Sequence, residues 1–220
     1  MAGSSDFLFD PKLADMIDEA FERAGIDPAD VTLRHINAAR RSMNFMFSDW
    51  QTHGVSEWAV EKTVRPVTPG MTSFDLPDGG IDILEATLRR SGLDTEMYPI
   101  SRGDYQAIPK KDLRGLPDRY WVDRNTGAPT VYIWQIGENS TDEIHYWYMR
   151  RFKDVGSLPD TLDIPSYFYD AFVAGVAARL AVKFAPDRVG FLQPEAERSF
   201  NRALDADGSR APLTIRARYR

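Results

Sequence analysis

Apolar residues recur along this chain at two different spacings, and the switches between them predict helices, then strands, then helices again. Leu13, Ile17, Ala20, Phe21 and Ala24 fall three and four apart, which is one face of a helix. Asp10-Pro11 supplies its start, an acidic cap followed by proline at the first helical position, and Gly25 supplies its stop. Asp27-Pro28 and Asp30 carry a turn. A longer helix follows, with Ile36, Ala39, Met43, Phe47 and Trp50 on one stripe and Gly54 at its end. Two helices joined so closely are expected to pack antiparallel.

From Trp58 the pattern changes. Trp58, Val60 and Val64 alternate with polar residues, and Pro66 and Pro69 punctuate the next turn. Thr72 to Leu76, Ile81 to Arg90 and Thr95 to Ile100 are further strand candidates, the first two separated by Pro77, Asp78, Gly79 and Gly80. Ser101 to Ile108 reads as a short helix, with Ser101 as cap, Asp104 three residues on and Pro109 as terminator. Lys110 to Asp118 is expected to be an exposed loop. Val131, Ile133 and Gln135, then Ile144, Tyr146 and Tyr148, mark two stronger strands, which the short Gly137 to Asp142 link predicts to be a hairpin. Consecutive strands with tight turns predict a mostly antiparallel sheet.

Helical spacing returns at Pro165. Phe168, Phe172, Val176 and Leu180 are flanked by Ala171, Ala174, Ala177, Ala178 and Ala181, small residues that permit close helix contact, so this is expected to be the central helix. Pro186 ends it. A fourth helix is expected from about Pro194 to Ala206, burying Ala196, Phe200, Ala203 and Leu204, with Gly208 after it. The predicted class is therefore α+β: a bundle of about four helices with an inserted antiparallel β module and an extended C-terminal arm. The expected boundaries are residues 1–54 and 164–208 for the bundle, 55–163 for the module and 209–220 for the arm.

Composition narrows the chemistry. The chain has 220 residues, 43% hydrophobic and 12% aromatic, enough to bury a real core. It contains no cysteine, which excludes disulfides, thiolate metal sites and cysteine nucleophiles, and fits a reducing compartment. The N-terminal MAGSSDFLFD has neither a basic start nor a long apolar run, and the weakly polar stretch Ala171 to Val182 is broken by Arg179, so a soluble, cytosolic product is expected. The net charge of −6 argues against whole-protein affinity for nucleic acid. Its distribution is uneven. The chain holds 27 basic and 33 acidic residues; four of the basic ones are Arg210, Arg216, Arg218 and Arg220, which leaves 23 against 33, or −10, before the last twelve residues. In that segment Leu213, Ile215, Ala217 and Tyr219 alternate with Thr214, Arg216 and Arg218, a strand pattern suited to docking on a partner. A frayed end kept soluble by arginine, and a DNA-binding arm, are the competing readings.

Candidate catalytic groups are few. His35, His53 and His145 lack partners at metal-binding spacing, and there is no phosphate-binding loop, dinucleotide fingerprint or nucleophile elbow. No catalytic, cofactor or metal site is expected. Asp142 with Glu143, and Asp160 with Asp163, are the carboxylate pairs a cell-wall hydrolase would need, although Asp163 is more simply a helix cap. Tyr120, Trp121, Tyr132, Trp134, Tyr146, Trp147 and Tyr148 would make a stacking platform for sugars or single-stranded bases if they shared a surface. Strand aromatics more commonly pack as core, and an apolar pattern on both faces of the Tyr132 and Tyr146 strands predicts burial on both sides, one against a neighbour.

The order and wording of these segments resemble a known family. AFERAGI from Ala20 to Ile26, INAARRSMNFMFSDWQTHGVSEW from Ile36 to Trp58, PISRGDYQAIPKKDLRGLPDRYWVDR followed by PTVYIW, and IPSYFYDAFVAGVAARLAVKFAPDR followed by an amphipathic helix are similar to the phage head-to-tail adaptor (head-completion, or tail accessory factor) proteins. The resemblance implies a non-enzymatic virion protein at the head–tail interface, assembled in the host cytoplasm. It implies a twelve-fold ring under the portal protein, tail or nozzle proteins on the opposite face, and genomic DNA passing through without specific binding. No cofactor or membrane partner is implied. Carried onto this chain, the portal-docking residues would be Arg210, Leu213, Ile215, Arg216, Arg218, Tyr219 and Arg220. The alternative is a cell-wall-degrading hydrolase or a nucleic-acid-binding virion protein.

Overall fold

Helix α1 (Leu13–Ala24) buries Leu13, Met16, Ile17, Ala20, Phe21 and Ala24, the stripe expected from its spacing. It ends at Gly25, whose φ of 75° lets the Ile26 amide turn back to donate to the Phe21 carbonyl at 2.9 Å. The start differs from expectation: the first helical residue is Leu13, with Lys12 at the cap and its amide bonded to Asp15. In the following turn the Asp27 carboxylate accepts the Ala29 amide at 2.9 Å. Helix α2 (Leu33–Trp50) then buries Ala38, Ala39, Ser42, Met43, Met46, Phe47 and Trp50.

The computed structural model describes residues 11–53, 57–125, 127–155 and 162–208. They form two units, one within residues 1–58 and 153–220, the other residues 59–152. The class is α+β.

In the helical unit, α4 (Tyr169–Phe184) is the centre. Nine of its residues are buried, from Ala171 round to Ala181, and such all-round burial is what an interior helix requires. Helices α1, α2 and α5 (Val189–Asp207) all pack on it. Thus α1 and α2 are joined mainly through α4 rather than as a tightly paired antiparallel couple. Aromatic rings knit the centre: Phe47 lies 5.8 Å from Phe172, and Trp50 stacks on Phe200 at 4.9 Å. A 3-10 turn at Ser166–Phe168, with Pro165 at its cap, feeds α4, whose own cap residue is Phe168. Helix α5 starts five residues earlier than expected, at Val189, and carries Pro194 inside it. The proline removes one helical amide bond near the N-terminus, a loss outweighed by Leu192, which is buried against Ala178 and Ala181.

The second unit holds nine strands and one helix: β1 (Val60–Pro66), β2 (Ser73–Asp75), β3 (Gly80–Arg90), β4 (Leu93–Pro99), α3 (Arg102–Ala107), β5 (Arg114–Gly115), β6 (Arg119–Asp123), β7 (Thr130–Trp134), β8 (Ile136–Gly137) and β9 (Glu143–Arg150). Seven form one sheet in the order β1-β9-β3-β4-β6-β7-β2. The expected hairpin between β7 and β9 is not made: β7 pairs with β6 and β2, while β9 lies between β1 and β3. Nor is the sheet wholly antiparallel, because α3 returns the chain so that β6 runs parallel to β4. The Lys110 to Asp118 stretch is not simply a loop, since Arg114 and Gly115 pair with Ile136 and Gly137. A true hairpin links β3 and β4 instead, through Ser91 and Gly92, both at positive φ (51° and 81°) as a two-residue turn of this hand demands. One sheet face buries Phe74, Ile83, Leu88, Met97, Tyr120, Val131, Ile133, Ile144, Tyr146 and Tyr148 in a single core.

Candidate docking surfaces

The seven arm residues, Arg210 to Arg220, lie outside the described residues, and the structure defines only how the chain is delivered to them. At the end of α5, Asp207 is 8% exposed and bonded on both oxygens. Its Oδ1 accepts the Tyr167 hydroxyl at 2.6 Å and its Oδ2 accepts the Glu57 amide at 3.1 Å. Burial, then the bond to Asp207, drives the Tyr167 phenol far above its ordinary range. The last helical turn is therefore clamped where the arm begins.

Higher along α5 a second polar knot joins three helices. Asp170 of α4 accepts Arg23 from α1 at 2.9 Å and Ser199 from α5 at 2.9 Å, with Arg202 at 3.5 Å. Burial alone would lift the Asp170 carboxyl, but the bonds from Arg23 and Ser199 outweigh it and hold the group below the usual carboxylate range. On the opposite flank Lys183 donates to Ser42 of α2 at 2.6 Å; burial, with Arg41 and Arg179 adding like charge, lowers its pKa.

Between α2, α4 and α5 runs an open groove of about 520 Å³. Its floor is Ala171, Gly175 and Ala178 of α4; its walls include Met46 and Trp50 on one side and Ala196 and Phe200 on the other. Gly175 lets the Met46 side chain lie against α4: a Cβ there would fall 2.5 Å from the Met46 sulfur, which would have to move. Asp49, bonded to Arg179 at 2.9 Å, and Glu197 stand on the rims, and Val182 at the far end is 64% exposed.

The candidate carboxylates of the β unit are engaged in structure. Asp142 is fully buried and gripped by Arg90 through two bonds, 2.9 and 2.6 Å, while Glu138 shares the guanidinium at 3.3 Å. That geometry is an internal anchor with no access for a substrate. Neighbouring Glu143 bonds His145 Nε2 at 2.9 Å. Asp160 lies outside the described residues. His35 uses Nδ1 to accept the Thr32 amide at 3.0 Å, and its ring sits 4.4 Å from Phe184. His53 packs edge-on against Phe200 at 5.1 Å. The three histidines are thus spread over separate sites, and among the described residues there is no cluster of three or more metal-ligating side chains.

The aromatics do not share a platform. Tyr120, Tyr146 and Tyr148 are core, and burial pushes the Tyr120 and Tyr148 phenols up to about 12. Trp121 and Tyr132 stack at 5.1 Å and are covered by Tyr105 of α3. Trp134 donates its indole N–H to the Lys110 carbonyl, and Trp147 sits beneath Lys62. Part of the outer face expected to meet a neighbour is thereby covered from within the chain. Sequence reasoning missed the Arg90–Asp142 and Asp170 networks and the groove; only the small residues of α4 hinted at the last.

No helix among the described residues is long and apolar enough to cross a membrane. No curated protein is a significant match to the chain. Residues 11–217 match the family described as SU10 adaptor protein, nearly the whole chain, including all of both described units. On that match the chain belongs to the SU10 adaptor protein family, the phage head-to-tail adaptors.

Proposed function

We propose that this structural phage adaptor closes a homo-oligomeric ring, a dodecamer matching the symmetry of a portal, and carries the DNA channel from head to tail. The observation that carries the reading is the family match over residues 11–217. The charge distribution supports it: a body of negative charge lets DNA slide without sticking, while four arginines are reserved for the last eleven residues. In this reading residues 1–54 and 164–208 form the ring body and residues 209–220 are the portal-docking arm. Arg210, Arg216, Arg218 and Arg220 meet acidic portal surface, and Leu213, Ile215 and Tyr219 occupy apolar recesses. The module at 55–163 faces tail or nozzle proteins. Ring contacts are heterologous, so closure depends on the angle between neighbours.

Light scattering of the purified chain, alone and mixed with its portal, tests this directly. A small species alone that becomes a stoichiometric ring on the portal is expected. A chain truncated after Gly208 should stay folded and lose portal binding; normal ring attachment without residues 209–220 removes the docking role from the arm.

A further inference from the structure

We propose that neighbouring copies meet through two oppositely charged helix faces: the acidic outer stripe of α1 on one copy seats on the basic, aromatic outer face of α2 on the next. The inference rests on the ring reading above and names the surfaces that make its contacts.

The charges are sorted along the first two helices. Residues 13–30 hold six acidic side chains and one basic one, whereas residues 31–48 hold three arginines and no acid. Folding turns each set outward. Helix α1 gives its apolar stripe to the core, which leaves Asp15, Asp18, Glu19 and Glu22 exposed on the other side. Its one cation does not cancel them, because Arg23 is bonded to Glu19 and to Asp170 of α4. Helix α2 buries Ala38, Ala39, Met43, Met46 and Phe47, so Arg34, Arg40, Arg41 and Phe45 stand exposed.

The α2 face finds no counter-charge within its own chain. Among the described residues no carboxylate forms an ion pair with Arg34, Arg40 or Arg41, and the nearby Asp49 is taken by Arg179. Burial, then the like charges of Arg41 and Arg179, depress the Lys183 pKa, as expected where cations crowd together. The face is also apolar at both ends: Leu33 is 73% exposed and Phe45 67% exposed. Arginine and aromatic side chains are the types that interfaces favour over lysine and glutamate. The two stripes match in length. Arg34 to Arg41 and Asp15 to Glu22 each span seven residues, roughly 10 Å along a helix.

A second copy is the occupant that satisfies both faces. A DNA backbone would suit the arginines but leave Phe45 uncovered and the α1 carboxylates without a partner. Since the two faces differ, each copy presents one to each neighbour, which is the head-to-tail contact a ring requires. Exposed ion pairs are individually weak and screened by salt, so this contact alone does not gather free copies. A portal that holds copies side by side raises their effective concentration and lets the contact form.

Charge exchange tests the pairing. Full-length R34E/R41E and D18K/E22K are each mixed with portal, and bound subunits per portal are counted by light scattering beside the parent. Each variant alone sets like charge against like and should lose about ten-fold or more in affinity for completing the ring. The quadruple variant D18K/E22K/R34E/R41E should recover the full ring. So should an equimolar mixture of the two double variants, in which copies with two acidic faces alternate with copies bearing two basic ones. Full rings from either double variant alone, or losses that neither combination rescues, overturn the contact. A discrete parent dimer without portal, abolished by either reversal, would make the pairing two-fold and overturn the ring contact. Duplex DNA bound by the parent and not by R34E/R41E would give the α2 face to phosphate instead. A parent that forms no ring on portal overturns the ring reading and this contact with it, whereas full parent rings with indifferent variants overturn the contact alone.

Discussion

Replacing Arg90 by alanine isolates the most deeply buried carboxylate among the described residues. Asp142 is fully buried, and Arg90 supplies both bonds to its carboxylate, at 2.9 and 2.6 Å. Removing one partner of a buried pair leaves the other charge uncompensated, which costs about 3–5 kcal/mol when both ends are enclosed. Here the Arg90 side chain is 34% exposed, so water can reach the vacated end and relieve part of the penalty. The lower part of the range, about 2–3 kcal/mol, is the reasoned value. At a urea m-value of about 2–3 kcal/mol/M that moves the midpoint for the β unit down by about 1 M. The assay is equilibrium urea unfolding, with amide exchange of β3 and β9 to assign the transition to the sheet. R90A/D142N is the decisive companion, because an amide in place of the stranded carboxylate removes the charge. The double variant should be more stable than R90A by about 1 kcal/mol or more. A midpoint for R90A within 0.2 M of the parent, or a double variant no better than R90A, refutes the account of Asp142 as an anchored buried charge.

Two further outcomes follow from the network and the core. D170A removes the acceptor shared by Arg23, Ser199 and Arg202; with the carboxylate half exposed, the loss is about 1 kcal/mol at neutral pH. Since the folded pKa lies below the unfolded one, the Asp170 contribution is complete above pH ~4 and fades as pH falls through the folded value, so thermal melts of parent and variant should converge toward pH 2; a constant gap contradicts the pairing. Ultraviolet titration should show two tyrosines, Tyr120 and Tyr148, ionising near pH 12, well after exposed phenols. Their raised pKa means stability is intact below pH ~10 and falls as pH rises toward 12; Y120F and Y148F should each delete one late-titrating group, and an unchanged curve would mean the assignment is wrong.

What the sequence made legible was local. The α1 stripe, the Gly25 stop, the Ala-rich central helix and the α3 cap, in which Ser101 and Asp104 bond each other's amides, all depend on residues within four positions. What it concealed was pairing across distance. The β7 and β9 patterns and their short link read as a hairpin, yet Ile144 and Tyr146 find their partners on β1 and β3, many residues upstream, and nothing in a two-residue period names a partner. The β3–β4 turn escaped because Ser91-Gly92 lacks the Asn-Gly or Asp-Gly signature. Proline's preference for the first helical turn predicts a start near Pro194, whereas the burial of Leu192 against α4 begins the helix before it. For the site, alternating arginines marked the arm, while the groove arises only when three helices separated in sequence are brought together. Asp142 looked like chemistry because its partner lies 52 residues away.

The register of β1 on β9 bears on how the chain is made. Val60 stands opposite Met149, so the two ends of the β unit leave on adjacent strands. Helices α1 and α2 leave the ribosome first, but α4, on which both pack, follows α2 only after roughly 120 residues, about 6–24 s of synthesis. Until then their apolar stripes have no permanent cover. Once the sheet zips, β1 against β9 shortens the effective tether between α2 and α4 from roughly 120 residues to roughly 30, which lowers the loop-closure cost by about 1 kcal/mol. The sheet thus acts as a buckle during biogenesis: nascent chains stalled before β9 should expose their N-terminal helices to chaperones, and those stalled beyond α4 should not.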